Sequence, residues 1–106
     1  MDPIKNVDLS PKANIYFDGN VISHSFKTAA GEDKSTGAIL PGEYHFGTAA
    51  PERMDIIAGQ CSVVLDGTTE TLAIAEGSAF EVPGNSGFTI TVAGAPCQYI
   101  CSYLSE

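Results

Sequence analysis

Short runs of alternating apolar and polar residues, separated by glycine and proline, extend along most of the chain. In such a run successive side chains point to opposite faces, as in a β-strand buried on one side. Two of the breaks are Asp18-Gly19-Asn20 and Asp66-Gly67, and such residues favour tight hairpin turns because they tolerate positive φ. The pattern therefore predicts an all-β fold of about nine or ten short strands.

Two stretches bounded by glycine and proline, 41–59 and 77–86, interrupt this regular pattern. Each reads as a turn and a short strand, and the second strand is stopped by Pro83-Gly84, because proline cannot donate to a central ladder. The polar, glycine-bounded stretch 27–37 indicates an exposed hairpin loop. Evenly spaced short strands of this kind predict a closed, double-sheet jelly-roll barrel.

The length of 106 residues predicts a single domain. Residues 1–13 hold two prolines and no clear alternation, so we expect a flexible N-terminal arm before a barrel domain over 14–106. No window has enough consecutive apolar residues to span a membrane. The N-terminus, MDPIKNVDLS, lacks the apolar centre of a secretory signal, so we expect a cytoplasmic location.

Charge and cysteine content narrow the possible partners. Thirteen acidic and five basic side chains give a net charge of -8, which opposes binding to nucleic acid or to an anionic membrane. The three cysteines, an odd number without an export signal, argue against a disulfide framework. Cys97 and Cys101 share a face if they lie on one strand, where they are a metal pair or, as we favour, small core residues like Cys61.

The two interrupted stretches have the spacing of the paired motifs of the cupin superfamily. Gly77 is followed by five residues and then Pro83, and Glu52 is followed by six residues and then Gly59. At or near the four positions where cupins place metal ligands stand His45, Gly47, Glu52 and Phe88. A metal site needs at least three converging protein ligands, so the resemblance implies a cupin-type double-stranded β-helix without a metal.

Five motifs carry a more specific resemblance over residues 14–104. They are YF-x-G at 16–19, PGEY-x-F-x-T at 41–48, APERM at 50–54, G-x-x-F-x-VPG-x-S at 77–86 and YICSYL at 99–104. Together they resemble the small cupin-like pyrimidine/purine nucleoside phosphorylases. The resemblance implies a pentosyltransferase that cleaves diverse purine and pyrimidine nucleosides with phosphate, giving free base and ribose 1-phosphate without a cofactor. Because cupins commonly cover their sheet edges by pairing subunits, we also expect a homodimer.

Phosphorolysis requires a ligand for phosphate, and Arg53 is the only arginine. Its planar guanidinium binds phosphate through two parallel hydrogen bonds, which an ammonium group cannot do. The four lysines fall in the predicted arm or the predicted loop. We therefore assign phosphate to Arg53, with a salt bridge to Glu52 or Asp55 as the alternative.

A breaking glycosidic bond leaves positive charge on the sugar, which a carboxylate stabilises. Glu52 is the first candidate, because it stands where cupins place an inward-facing ligand, and we predict Glu52 and Arg53 as the catalytic pair. An exposed, purely structural acid is the alternative for Glu52. Glu81 is a second candidate, which points either into a polar barrel or out to water.

A site that accepts both purines and pyrimidines cannot depend on one hydrogen-bond pattern, so we predict stacking of the base on aromatic rings. Tyr44, Phe46, Tyr16 and Phe17 are the aromatic residues nearest the motifs. We choose Tyr44 and Phe46 for this role, with core packing as the alternative. Asn85 and Ser86 follow the Pro83-Gly84 turn. We predict that they hydrogen-bond ribose or phosphate, with turn formation as the alternative.

Two other functions stay open. One is a metal-dependent cupin enzyme that uses His45, Glu52 and His24. The other is a non-catalytic module that binds a small molecule, for which a small acidic barrel is equally suitable. Metal content separates the first from a phosphorylase, and binding without turnover identifies the second.

Overall fold

The computed structural model describes residues 1–104, which form eleven β-strands and one short 3-10 turn, Phe17–Gly19. The strands are Asp8–Leu9 (β1), Asn14–Tyr16 (β2), Val21–Lys27 (β3), Asp33–Ile39 (β4), Gly42–Gly47 (β5), Glu52–Ala58 (β6), Gln60–Leu65 (β7), Leu72–Ala75 (β8), Ala79–Val82 (β9), Gly87–Val92 (β10) and Cys97–Tyr103 (β11). The predicted all-β class is confirmed. The last two positions of the predicted barrel domain, 105 and 106, lie outside the described residues.

The strands form two antiparallel sheets. Sheet A has the order β1-β3-β4-β11-β6-β9, with β2 also paired to β3, and sheet B has the order β5-β10-β7-β8. Every strand within residues 1–104 belongs to one sheet only. The predicted closure into a barrel is therefore not seen in the part of the chain that is described.

The prediction of an exposed loop over 27–37 is wrong in its second half. Asp33–Ile39 forms β4, an inner strand of sheet A that pairs with both β3 and β11. The alternation is hidden because Ser35 and Gly37 occupy two inward positions before the apolar Ile39. Gly37 is required there, since a Cβ atom would collide with the carbonyl oxygen of Ile22 and lie 2.8 Å from Ser23 Cβ.

The apolar core lies between the two sheets. Sheet A contributes Ile39, Met54, Ile56 and Val82, and sheet B contributes Val63, Phe88, Ile90 and Val92, all of them buried. Toward one end of the molecule the inner face of sheet A changes from apolar to polar side chains. This change leaves space between the sheets.

One edge of sheet A, strand β1, comes from the predicted N-terminal arm. Asp8–Leu9 pairs with Lys27 and Phe26 of β3, and the Ser10 backbone N–H donates to the Ser25 carbonyl at 2.9 Å.

The three cysteines are all buried and free. Residues 1–104 contain no helix with the length and hydropathy that crossing a membrane requires.

Candidate active site

A cavity of about 440 Å³ lies between the sheets at the end where β5 and β11 finish and β6 and β10 begin. Side chains from both sheets and from the 3-10 turn line it. Its volume is within the range of small-molecule sites, roughly 300 to 1,000 Å³. It is therefore our candidate site.

Sheet A supplies a polar wall, which consists of Ser23, Ser35, Glu52, Tyr99, Cys101 and Tyr103. The register explains how residues distant in the chain meet, because Cys101 pairs with Ser35 on one side and Tyr103 pairs with Glu52 on the other. The Ser35 and Tyr103 hydroxyl oxygens are 3.2 Å apart, and the Cys101 thiol donates to Glu52 Oε1 at 3.5 Å.

Partial burial changes the acid-base properties of this wall. Burial raises the pKa of the Glu52 carboxyl, although the hydrogen bond from Cys101 partly offsets the effect. Burial also raises the pKa of Tyr99 to about 12. For Cys101, burial and the nearby Glu52 charge raise the pKa to about 12. The phenol and the thiol therefore stay protonated near neutral pH. Within residues 1–104, Glu52 is the single carboxyl of the lining.

Sheet B, the 3-10 turn and Tyr16 of β2 supply an aromatic wall opposite the polar one. Phe46 of β5 and Phe88 of β10 are stacked, with centroids 5.6 Å apart and planes inclined by 24°. Phe17 meets Phe46 edge to face at 5.4 Å, and Tyr16 does so at 6.3 Å. Such a wall offers ring faces and edges to a planar ligand.

Two loops are tied together beside the cavity. Thr48 Oγ1 donates to the Pro83 carbonyl at 2.6 Å and accepts the Ser86 backbone N–H at 3.0 Å. The Asn85 backbone, at φ 51°, donates its N–H to the Ala49 carbonyl at 3.0 Å. Asn85 and Ser86 thus take part in the turn, and the cavity lining does not include them.

Arg53 lies on the outer face of sheet A, because neighbouring residues of a strand face opposite ways and Glu52 faces inward. Its guanidinium Nε is 3.3 Å from Asp55 Oδ2, and its Nη1 is 3.7 Å from Glu81 Oε2. The salt bridge with Asp55, which the sequence left as an alternative, is therefore present. The predicted roles of Arg53 and Glu81 in binding stay predictions.

The structure brings Glu52 and Phe46 together in the cavity but places Tyr44 beneath the lining. The Tyr44 hydroxyl donates to the carbonyls of Leu40 at 2.9 Å and Pro41 at 3.1 Å. Its ring is buried and lies 5.0 Å from the Phe17 ring. Tyr44 supports the aromatic wall from below, and its predicted contact with a base stays a prediction.

The residues at or near the four cupin ligand positions all line this cavity, but they do not fit a metal ion. Gly47 and Phe88 carry no ligand atom, and His45 Nε2 is bound to Asp66 Oδ2 at 2.9 Å. His24 lies elsewhere, with Nδ1 3.2 Å from the Ser10 carbonyl oxygen. Within residues 1–104 no group of three or more His, Cys, Asp or Glu side chains is arranged to hold a metal.

Sequence reasoning missed Ser35, Cys101 and Tyr103. A signal for two of them was present, since the closing YICSYL motif places Tyr99, Cys101 and Tyr103 at alternate positions and hence on one face. The sequence gives no such signal for Ser35, because it lies in the polar stretch 27–37, which predicts a loop. Its hydroxyl contact spans 68 residues of sequence.

Comparison with known proteins decides the family. A family model described as pyrimidine/purine nucleoside phosphorylase matches residues 11–103. The chain belongs to this family. The family resemblance found in the sequence motifs is thereby confirmed.

Two relatives in the nucleoside phosphorylase family illustrate the similarity. A Thiobacillus denitrificans protein named "Pyrimidine/purine nucleoside phosphorylase" is 46% identical over 103 residues, which are 97% of this chain and 99% of the relative. A Delftia acidovorans protein of the same name is 47% identical over 102 residues, which are 96% of each chain. A solved structure of an Acinetobacter protein of unknown function (DUF1255) is 38% identical, with a TM-score of 0.92 and coverage of 96% of this chain and 98% of that one.

Proposed function

We propose that the protein is an enzyme that cleaves purine and pyrimidine nucleosides with inorganic phosphate, giving free base and ribose 1-phosphate without a metal. The observation that carries the proposal is the cavity, in which an aromatic wall faces a polar wall with one carboxyl. A nucleoside has the matching division into a planar base and a hydroxyl-rich sugar. Membership of the family supplies the reaction type.

The base lies against the aromatic wall. Every base has a π-face, so stacking on Phe46 and its neighbours is worth about 1 to 3 kcal/mol whatever the base. A site that instead hydrogen-bonds one base edge rejects bases lacking the matching groups, because its own buried polar groups are then left unpaired. The aromatic wall thus supports tolerance of both purines and pyrimidines.

The sugar lies against the polar wall, within reach of the Ser35 and Tyr103 hydroxyls and of Glu52. In the reaction the bond between C1′ and the base nitrogen breaks, and a bond from C1′ to a phosphate oxygen forms. Glu52 in its neutral form gives its proton to the departing base. It recovers a proton from the hydrogen phosphate that has attacked, so protons balance over one turnover.

The phosphate ion is an anion, so its binding requires hydrogen-bond donors or cations. The lining residues include no lysine or arginine. A phosphate dianion is repelled by a carboxylate, so a neutral Glu52 and the surrounding hydroxyl donors favour its entry more than an ionised Glu52 would. Arg53 as phosphate ligand remains a prediction, and its pairing with Asp55 and Glu81 competes with that role.

We also infer that the fold is a cupin-type jelly roll within one domain over 14–106, preceded by the arm 1–13. The four-strand order β4-β11-β6-β9 opposite β5-β10-β7-β8 supports this, since a jelly roll has eight strands in two sheets. Ile15 and Ile22 are cross-strand partners at the edge of sheet A and are 65% and 41% exposed. These apolar side chains support a homodimer that covers this edge. We also propose a cytoplasmic location.

Release of free base from uridine, inosine and adenosine, with and without phosphate, tests the proposal on metal-analysed protein. Phosphate-dependent release from all three is expected, and it is unaffected by a chelator. Activity that requires an added divalent metal would favour the metal-dependent cupin enzyme. Nucleoside binding without turnover would favour a binding module.

A further inference from the structure

The backbone is strained at the point where the aromatic wall meets solvent. Phe17, Asp18 and Gly19 form three consecutive residues with positive φ, at 51°, 57° and 92°. Glycine adopts such angles freely, but for a bulky aromatic residue a positive φ is an outlier that costs about 1 to 3 kcal/mol. The other non-glycine residues with positive φ in the described chain are Asn and Asp, which tolerate it better.

The strained turn is held firmly on the side where it rejoins the sheet. The Asn20 N–H donates to the Phe17 carbonyl at 3.1 Å, and the Asn20 carbonyl accepts the Leu40 N–H at 2.8 Å. A reversal of the chain does not itself need an aromatic residue at this position. The backbone strain is therefore associated with the position of the Phe17 ring.

The Phe17 ring is packed on one side only. Its centroid lies 5.0 Å from that of the Tyr44 ring and 5.4 Å from that of the Phe46 ring. Even so, Phe17 is 43% exposed, and no residue of the 3-10 turn is buried. Phe17 also lines the cavity. A large apolar ring that lines a cavity at an energetic cost, and is left 43% exposed, has free surface available to a ligand in that cavity.

We propose that Phe17 is a substrate-binding residue that covers the nucleoside base as it lies against Phe46. This inference rests on the proposed function and assigns the residue that sets its tolerance of bases. A ring edge and a ring face contact any base through dispersion, so Phe17 contributes the same affinity to purines and to pyrimidines. The strained turn fixes the ring in place before the base arrives, which lowers the ordering cost of binding.

Replacement of Phe17 by alanine and by glycine separates binding from folding. Both variants lose the ring, and we expect each to raise KM about 5- to 100-fold for uridine and for inosine alike, with the ratio between the two substrates unchanged within about threefold. Glycine also removes the strain, so Phe17→Gly is expected to melt at a higher temperature than Phe17→Ala. The two variants are therefore expected to share the same raised KM but to differ in melting temperature.

Leu9→Ala is the matched control, because Leu9 is an exposed apolar residue of β1 and is absent from the lining. It is expected to leave KM unchanged. A KM of Phe17→Ala within twofold of the unaltered protein, or a KM that follows the melting temperature across the variants, would overturn the proposal.

Calorimetric titration of uridine without phosphate distinguishes this proposal from the proposed reaction. Weaker binding by both Phe17 variants, when the unaltered protein binds uridine but releases no uracil after phosphate is added, supports the Phe17 contact and refutes the phosphorylase. Absence of uridine binding by the unaltered protein, both without and with phosphate, refutes both.

Discussion

Glu52→Gln tests the chemistry proposed for the cavity with little change to its shape. Glutamine has the same size, keeps an oxygen that accepts the Cys101 thiol hydrogen bond, and cannot give up a proton to a base. Proton donation contributes about 10² to 10⁴-fold to rate. Glu52 is only partly buried, so water reaches the site and replaces part of the lost donor. We therefore expect kcat/KM for uridine to fall toward the lower limit, about 10²-fold.

The ionisation of Glu52 also makes the stability of the protein depend on pH. Burial raises the folded-state pKa of Glu52 above the ordinary value of about 4.3, so between the two values the folded protein binds more protons than the unfolded chain. The stability of the unaltered protein therefore declines as pH rises through this window. Glu52→Gln lacks this decline, so its melting temperature minus that of the unaltered protein is expected to increase from pH 4 to pH 8.

Steady-state rates over the same pH range complete the assay. Activity of the unaltered protein is expected to decline as pH rises through the Glu52 pKa, because the neutral acid is lost. Glu52→Asp, which keeps the acid on a shorter side chain, retains this decline at a lower rate. Activity of Glu52→Gln within threefold of the unaltered protein would refute the role of proton donor.

Three further predictions concern the surroundings of the cavity. Cys101→Ala removes the hydrogen bond that lowers the Glu52 pKa, so the decline in activity with pH is expected to move to higher pH in rate profiles. Gly87→Ala places a Cβ atom 2.6 Å from the Phe46 carbonyl oxygen and 2.6 Å from Asp66 Oδ2. It is expected to cost about 1 to 3 kcal/mol in urea denaturation. Arg53→Ala is expected to change the free energy of unfolding by less than about 1 kcal/mol, since exposed ion pairs contribute little. A higher KM for phosphate in that variant identifies an anion ligand, and an unchanged one identifies a surface salt bridge.

Local patterns of the sequence predict much of this fold. The Asp66-Gly67 turn, the strand 79–82 before Pro83 and the strand at 88–92 all follow from residues close together in the chain. β4 does not, because serine and glycine at two of its inward positions, Ser35 and Gly37, resemble a loop. The inward face there is polar since it borders a cavity, and alternation of apolar residues cannot reveal such a face.

The site is less predictable than the fold, because alternation shows which residues share a face but not which face is inside. Motif spacing identified Glu52, and alternation then places Arg53 on the opposite face. The contact between Ser35 and Tyr103 depends on the pairing of β4 with β11. That pairing joins distant parts of the chain and leaves no local signal. Phe17 is one of the aromatic residues near the motifs, and its positive backbone φ is what separates it from the others.

Phosphorus NMR of the products of uridine cleavage tests the central claim most directly. The unaltered protein, supplied with uridine and inorganic phosphate, is predicted to form one equivalent of ribose 1-phosphate for each uracil released, and Glu52→Gln forms it about 10²-fold more slowly. Uracil released together with free ribose, at a rate independent of phosphate, would contradict the account and identify a hydrolase.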